Sequence, residues 1–235
     1  MKRFSVENTV FEQLPDYCVG VVVARGLDNH SRSEAVSRML DQAAADFAQA
    51  NREANVRELP GVKACRDAFL ALGMNPNKFM CSIESLMMRV QKSGALPHIN
   101  TVVDLGNAFS LTYQLPMGAH DVDKLEGDIQ IRFSTPEDHF LPMGEEGMET
   151  MPAGELVYVS GHTVKTRRWI WRQSEDGKIT GDTSHVFFPI DGFQNVNGAS
   201  VLTVRDALAR LLEQDFGCRV ATGYVDRENN SFNFE

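Results

Sequence analysis

Residues 96–128 read LPHINTVVDLGNAFSLTYQLPMGAHDVDKLEGD: a loop, a helix, a turn and the approach to a strand. Pro97 has no backbone N–H to give, so it closes off any helix arriving from upstream. Asn100 or Thr101 starts a new helix, because either side chain can accept from a free first-turn amide. That helix runs to about Leu115 and stops before Pro116. Val102, Leu105, Ala108, Phe109 and Leu115 give it a wide apolar face. Asn100, Asp104 and Asn107 fall at i, i+4 and i+7 and form one polar stripe. The stripe is either a solvated face or a row of donors and acceptors pinning the flanking loops, His98–Asn100 and Gly118–Asp121. Composition leaves both open.

Upstream, Tyr17–Leu27 (YCVGVVVARGL) is almost wholly apolar and rich in β-branched residues, the pattern of a buried strand. Ser31 with Glu34 is a capping-box signature for a helix that aligns Val36, Met39, Leu40, Ala43 and Phe47. A shorter helix is predicted from Val62 to Leu72. Ser82 caps another, with Ile83, Leu86, Met87 and Val90 as its core face. Downstream of Asp128 the period changes to two: Ile129, Ile131 and Phe133 alternate with polar residues in a half-buried strand. Residues 136–153 are acidic and loop-like, with a short strand at Phe140-Leu141. Glu155–Ser160, Val164–Gln173 and Ile179–Ile190 read as strands, the last two joined by a hairpin at Asp176-Gly177. Thr203 with Asp206 caps a final helix, and Arg219–Val225 is a last strand. The tail from Asp226 to Glu235 is polar and frayed unless Phe232 and Phe234 dock. Helices crowd the first half and strands the second, an α+β pattern rather than regular α/β alternation.

The chain has 235 residues, 43% hydrophobic and 23% charged, enough for one substantial core. No Gly/Ser/Pro-rich linker interrupts it, so a single domain over 1–235 is expected. The net charge of -9 argues against a general binder of DNA or RNA, though a local basic patch could still meet RNA. MKRFSVENTVF lacks the apolar stretch of a signal peptide, and no run reaches the ~20 apolar residues of a membrane span. A cytoplasmic protein with no membrane contact is expected. Cys18, Cys65, Cys81 and Cys218 are scattered without metal-ligand spacing, so buried free thiols and no metal site are expected. No nucleotide-binding or other cofactor motif is present.

Lys165–Gln173 (KTRRWIWRQ) stands apart: it carries four cations, and no acid lies between Gly161 and Ser174. As a strand it sends Arg167, Trp169 and Trp171 one way and Arg168, Ile170 and Arg172 the other. Either it is an edge strand whose arginine stems lie over apolar surface, or it is the wall of a concave sheet. In the second case the arginines meet an anion and a tryptophan stacks on a ring.

The central stretch resembles the B3/B4 domain of the bacterial phenylalanyl-tRNA synthetase beta subunit. The resemblance rests on Ile99-Asn100, Val102-Val103-Asp104, Asn107, Pro116, Ala119 and Asp121–Leu125 (DVDKL), in that spacing. It is strongest over 96–128 and weaker to about Phe193. In the synthetase this domain is an editing module that hydrolyses tyrosine wrongly attached to the phenylalanine tRNA, and the present chain looks like the freestanding B3/B4 proteins. The resemblance implies a layered α+β fold with β-sheets packed against helices. It also implies tRNA, or the 3′ end of an aminoacyl-tRNA, as a partner, and an aminoacyl-ester hydrolase acting in trans.

Two departures bear on the substrate. Where the synthetase has a histidine two residues after the proline matching Pro116, this chain has Gly118, and its nearest imidazole is His120. Where the synthetase has a glutamate that reads the tyrosine hydroxyl, this chain has Pro189, with Asp191 two residues on. The synthetase is also glycine-rich where this chain has its tryptophans. The elements for reading tyrosine are therefore not carried over. His120 and Asp121 are the candidate base and water-positioning pair, unless His120 is simply a turn histidine bonded to backbone. Asn100, Asp104, Gly118, Arg167, Arg168, Trp169, Trp171 and Arg172 are the candidate substrate-binding residues. The competing reading is a small-molecule binder or enzyme on the same fold without RNA. A second copy of the chain is a further candidate partner.

Overall fold

The computed structural model describes residues 2–234, so Met1 at the start of the expected domain and Glu235 at the end of the polar tail lie outside the described residues. The first half runs β1 (Arg3–Val6), α1 (Asn8–Gln13), β2 (Tyr17–Arg25), α2 (Glu34–Ala50), α3 (Pro60–Ala71), α4 (Ser82–Ser93) and α5 (Thr101–Tyr113). Short strands follow: β3 (His120–Asp121), β4 (Ile129–Phe133), β5 (His139–Phe140), β6 (Glu149–Thr150), β7 (Leu156–Ser160), β8 (Thr163–Arg167) and β9 (Arg172–Gln173). The chain closes with β10 (His185–Phe193), α6 (Gly198–Gln214), β11 (Arg219–Val225) and β12 (Ser231–Asn233). This is the α+β class that the segregation of helices and strands predicts.

Among the described residues the strands form two sheets. One has the order β12-β1-β4-β7-β8-β5-β6, with β9 paired to β8; the other has the order β11-β2-β10-β3. The apolar run at Tyr17 becomes the inner strand β2 of the second sheet, antiparallel to both β10 and β11. It is apolar throughout because both its faces are covered. Val19, Val21 and Val23 enter a core shared with Phe4, Ile131 and Tyr158 of the first sheet. Cys18, Val22 and Ala24 enter a second core with α5 and α6. Helix α6 comes so close to the sheet that a Cβ on Gly192 would lie 2.4 Å from Val201 Cγ2. Only glycine fits there.

The central helix begins as its sequence predicts: Asn100 caps it, accepting from the Val103 amide at 3.0 Å. Other ends differ. Ser33 rather than Ser31 caps α2, accepting from Val36. Ser82 is the first residue of α4, and Cys81 occupies the cap position. Thr203 lies inside α6, which begins five residues earlier at Gly198 and carries no side-chain cap. The tail docks rather than frays: β12 pairs with β1, and the Phe234 ring lies 5.8 Å from that of Phe187.

The largest correction concerns 164–190. No hairpin forms at Asp176-Gly177. The chain turns back earlier, at residues 168–171, pairing β8 with β9, and β10 belongs to the other sheet. The turn needs left-handed backbone at Arg168 (φ 47°) and Trp169 (φ 59°), neither of them glycine. Such residues each cost on the order of 1–2 kcal/mol. The Trp169 amide donates to Leu156 O at 2.6 Å, and its fully buried indole anchors the turn in the core. Burial of an indole outweighs a local preference that the sequence pattern reports faithfully.

Candidate functional site

The site starts from the two-residue period of β10. Phe187, Pro189, Asp191 and Phe193 share a face, and alternation turns that face toward the first sheet. Asp191 is thereby placed between the sheets, 2% exposed. Three neutral donors converge on its Oδ1: the Tyr17 hydroxyl, the Tyr158 hydroxyl at 2.7 Å and the Trp169 indole N–H at 3.0 Å. Burial pushes the Asp191 carboxyl up to about 6, outweighing the hydrogen bonds that pull it down. The same burial, with the Asp191 charge beside them, pushes both phenols well above their ordinary range.

His120 of β3 sits across from Phe187 of β10 in the ladder and is 2% exposed. Its ring stacks on Tyr158, centroids 5.7 Å apart and planes 25° apart. Nδ1 is buried with no hydrogen-bond partner. Burial first, then the nearby Lys165 charge, lowers the imidazole to about 3, so His120 is neutral at physiological pH.

Gly118, His120, Tyr158, Trp169, Trp171 and Asp191 line one cavity of about 140 Å³. The turn after Pro116 and the tryptophan-bearing ribbon therefore meet. The backbone at Gly118 is held by its N–H donating to Pro189 O at 3.1 Å. A Cβ there would lie 3.1 Å from Pro189 Cγ and 3.5 Å from His120 Nε2, so a side chain at this position would crowd the space that glycine leaves open. Beside the cavity lies a larger cleft of about 510 Å³, walled by Ile99, Val103, Asn107, Met143 and Ile179. The two share Met117, Gly118 and Gln173 as a common border. Gln173 is fixed there by donating to Ala119 O at 2.8 Å.

Of the residues picked out in the sequence, Gly118, His120, Trp169 and Trp171 come together at the cavity. Asp121 does not join His120: the next residue on a strand points to the other face. Its carboxylate accepts from the Thr183 hydroxyl at 2.7 Å and the Asp123 amide at 3.0 Å. Asn100 is occupied as a helix cap. Asp104, fully buried, accepts from the Ile99 amide at 2.8 Å and lies 3.0 Å from His98 Nδ1, so the polar stripe pins the loop before the helix. The arginines are ion-paired within the chain. Arg167 meets Glu149 at 2.6 Å and Glu155 at 2.8 Å, and Arg172 meets Glu145 at 3.2 Å. Arg168 meets Glu155 at 3.1 Å, with its guanidinium over Phe79 and Trp171. Asp191, Tyr17 and Tyr158 also belong to the site, although no motif in the sequence singles them out. One signal was available for Asp191: it is the lone acid in the apolar run HVFFPIDGF, and an acid in a doubly covered strand must find partners.

The comparisons agree with this architecture. A phenylalanyl-tRNA synthetase beta-subunit fragment from Pyrococcus horikoshii, solved by crystallography, superposes with a TM-score of 0.50 over 92% of this chain and 49% of that one. Its sequence is 12% identical, so the likeness is one of fold. The phenylalanine–tRNA ligase beta subunit of Malacoplasma penetrans (strain HF-2) is 25% identical over 113 residues, 48% of this chain. The match spans only 13% of that protein's length. The profile of the B3/4 domain matches residues 64–214, well over half of the chain. That interval contains α4, α5, the turn after Pro116, the ribbon and Asp191, and on this ground the chain belongs to the B3/4 domain family.

Proposed function

We propose that this protein binds the aminoacyl end of a tRNA at the cavity between its sheets and the adjoining cleft along α5, and hydrolyses the ester in trans. The observation that carries the reading is a pair of adjoining spaces, a cavity of about 140 Å³ and a cleft of about 510 Å³, with Met117, Gly118 and Gln173 on the border of both. A small acyl group could occupy the first and the ribose and base of the terminal nucleotide the second. Relatedness to synthetase beta subunits supports tRNA as the class of substrate, and the cytoplasm as the place of action. Hydrolysis forms a bond from water oxygen to the acyl carbon and breaks the bond from that carbon to the ribose oxygen. The proton lost by water ends on the ribose. A neutral imidazole such as His120, whose Nε2 lies beside the space at Gly118, can orient that water, although so weak a base does not deprotonate it outright.

The test is deacylation of a panel of tRNAs, each carrying a cognate or non-cognate amino acid, followed over time. Faster loss of at least one ester, slowed about 100-fold in a His120→Phe variant, is expected. No rate above background on any member removes the hydrolase. The second reading, a small-molecule binder without RNA, is favoured by the pairing of Arg167, Arg168 and Arg172 with glutamates, which leaves the ribbon little charge for phosphates. Retention of tRNA that weakens steeply with salt counts against it.

A further inference from the structure

We infer that the cavity between the sheets is a binding site for a small protonated amine, whose ammonium sits against the Asp191 carboxylate within a wall of aromatic rings. The inference rests on the reading that this cavity is the ligand site. It does not rest on hydrolysis, and the α-ammonium of an aminoacyl ester is one member of the class.

A buried carboxylate is costly unless a cation compensates it. The chain observes this rule elsewhere. Asp138 has Arg132 at 2.7 Å, and Glu84, with no exposed side-chain surface, has Arg66 at 2.9 Å and Arg57 at 3.4 Å. Asp191 has two phenols and an indole, all neutral, and all three donate to Oδ1 rather than Oδ2. Lys165 is near enough to act on His120, but its ammonium is spent on Asp176 at 2.6 Å and Lys124 O at 3.3 Å. The positive partner that Asp191 lacks can therefore come from a ligand.

The rest of the wall suits a cation. His120, Tyr158, Trp169 and Trp171 line the cavity, and aromatic faces attract ammonium groups. His120 is neutral, so it adds no competing positive charge to that wall. A volume of about 140 Å³ admits a ligand of about the bulk of benzene. An amine of four to six heavy atoms, or the corresponding part of a longer molecule, is the size that fits.

The experiment uses the protein's own fluorescence, because its two tryptophans both line the cavity. The intact chain is titrated at pH 7 with isobutylammonium chloride and, separately, with its neutral isostere isobutanol. The ammonium is expected to bind at least ten-fold more tightly, and an Asp191→Asn variant to bring the two affinities within two-fold. A second measurement needs no variant. The titratable groups around Asp191 are Tyr17 on β2 and Tyr158 on β7, which donate to it, and His120 on β3, which lines the same cavity; Lys165 on β8 lies near His120, and Cys18 on the far face of β2 and Cys65 on α3 feel the Asp191 charge from farther off. The phenols and thiols are pushed upward by burial, for Cys65 after its hydrogen bond with Cys81, and His120 is pulled down to about 3. Asp191, at about 6, is the one that changes charge between pH 7 and 5, so the ammonium's affinity falls about ten-fold over that interval and the alcohol's does not. Equal affinities at pH 7, no fluorescence change with either compound, a preference that survives Asp191→Asn, or one indifferent to pH overturns the proposal. Ester hydrolysis without amine preference refutes the amine site alone; amine preference without hydrolysis refutes the hydrolase alone.

Discussion

Asp138 and Asp191 are both carboxylates removed from solvent, and their surroundings answer the same problem in opposite ways. For Asp138, burial raises the pKa, but Arg132 donates twice, at 2.7 and 2.8 Å, and the Thr135 amide once, at 2.7 Å. These bonds win, and the carboxyl is held below the usual range. For Asp191, burial meets only neutral donors and wins, so the carboxyl rises to about 6. The first arrangement is closed: charge meets charge, and the pair staples the loop after β4 to the sheet. The second is open, with polar groups gathered at a cavity and no counter-charge supplied. A protein can afford one such site among its structural pairs when a ligand completes it.

Breaking the closed member should cost most. Arg132→Ala takes the arginine from a fully buried Asp138, leaving it the Thr135 amide and the exposed His162 imidazole at 3.3 Å, for a loss of about 3 kcal/mol in urea unfolding. A loss below about 1 kcal/mol would mean that the two carboxylates are not different in kind.

The open member should respond to pH rather than to deletion. A carboxyl raised from 3.8 to about 6 binds more protons folded than unfolded between those values. Its contribution is therefore greatest below about 4 and is lost as pH rises through 6, by about 3 kcal/mol in all. Asp191→Asn removes this dependence, so the stability of wild type relative to the variant should fall by about that amount from pH 4 to pH 7. A constant difference across that range would show that Asp191 is not raised.

His120 sharpens the comparison from the other side. Its folded pKa of about 3 lies below the ordinary 6.5, so its neutral form is stabilised above 6.5 and stability drains away as pH falls toward 3. Relative to wild type, His120→Phe should gain about 2–3 kcal/mol between pH 6.5 and pH 4.5, seen as a lower acid-unfolding midpoint. The smallest effect belongs to the rim. Arg172 and Glu145 are 40% and 55% exposed, and Arg172→Ala should change stability by less than about 1 kcal/mol.

How much could be read before the fold was known follows from particular residues. Asn100 announces the central helix because a cap is a local event, settled within four residues. The strand at Tyr17 is legible because both its faces are covered, so every position reports burial. Lys165–Gln173 misled for the converse reason. Its alternation is genuine for the five residues of β8, but the turn at Arg168-Trp169 is dictated by where the indole can be buried, and that place is built from Tyr17, Phe69 and Phe193. The arginines looked available because no acid lies near them in sequence; their partners are Glu145, Glu149 and Glu155, across the ribbon.

The amino-acid order by itself determined the α+β class, the central helix with its cap, the doubly covered strand and the kinship with synthetase beta subunits. Each of these is written in neighbouring residues or in short periodic spacing. Which side chains share a cavity was decided only in three dimensions. Tyr17 and Asp191 stand 174 positions apart and become partners through β2 and β10 lying side by side. Hydrophobic periodicity tells a residue which way to face but not what it will face. The charge state of a buried carboxylate depends on the second of these, because in a medium of low polarity the nearest few dipoles decide it.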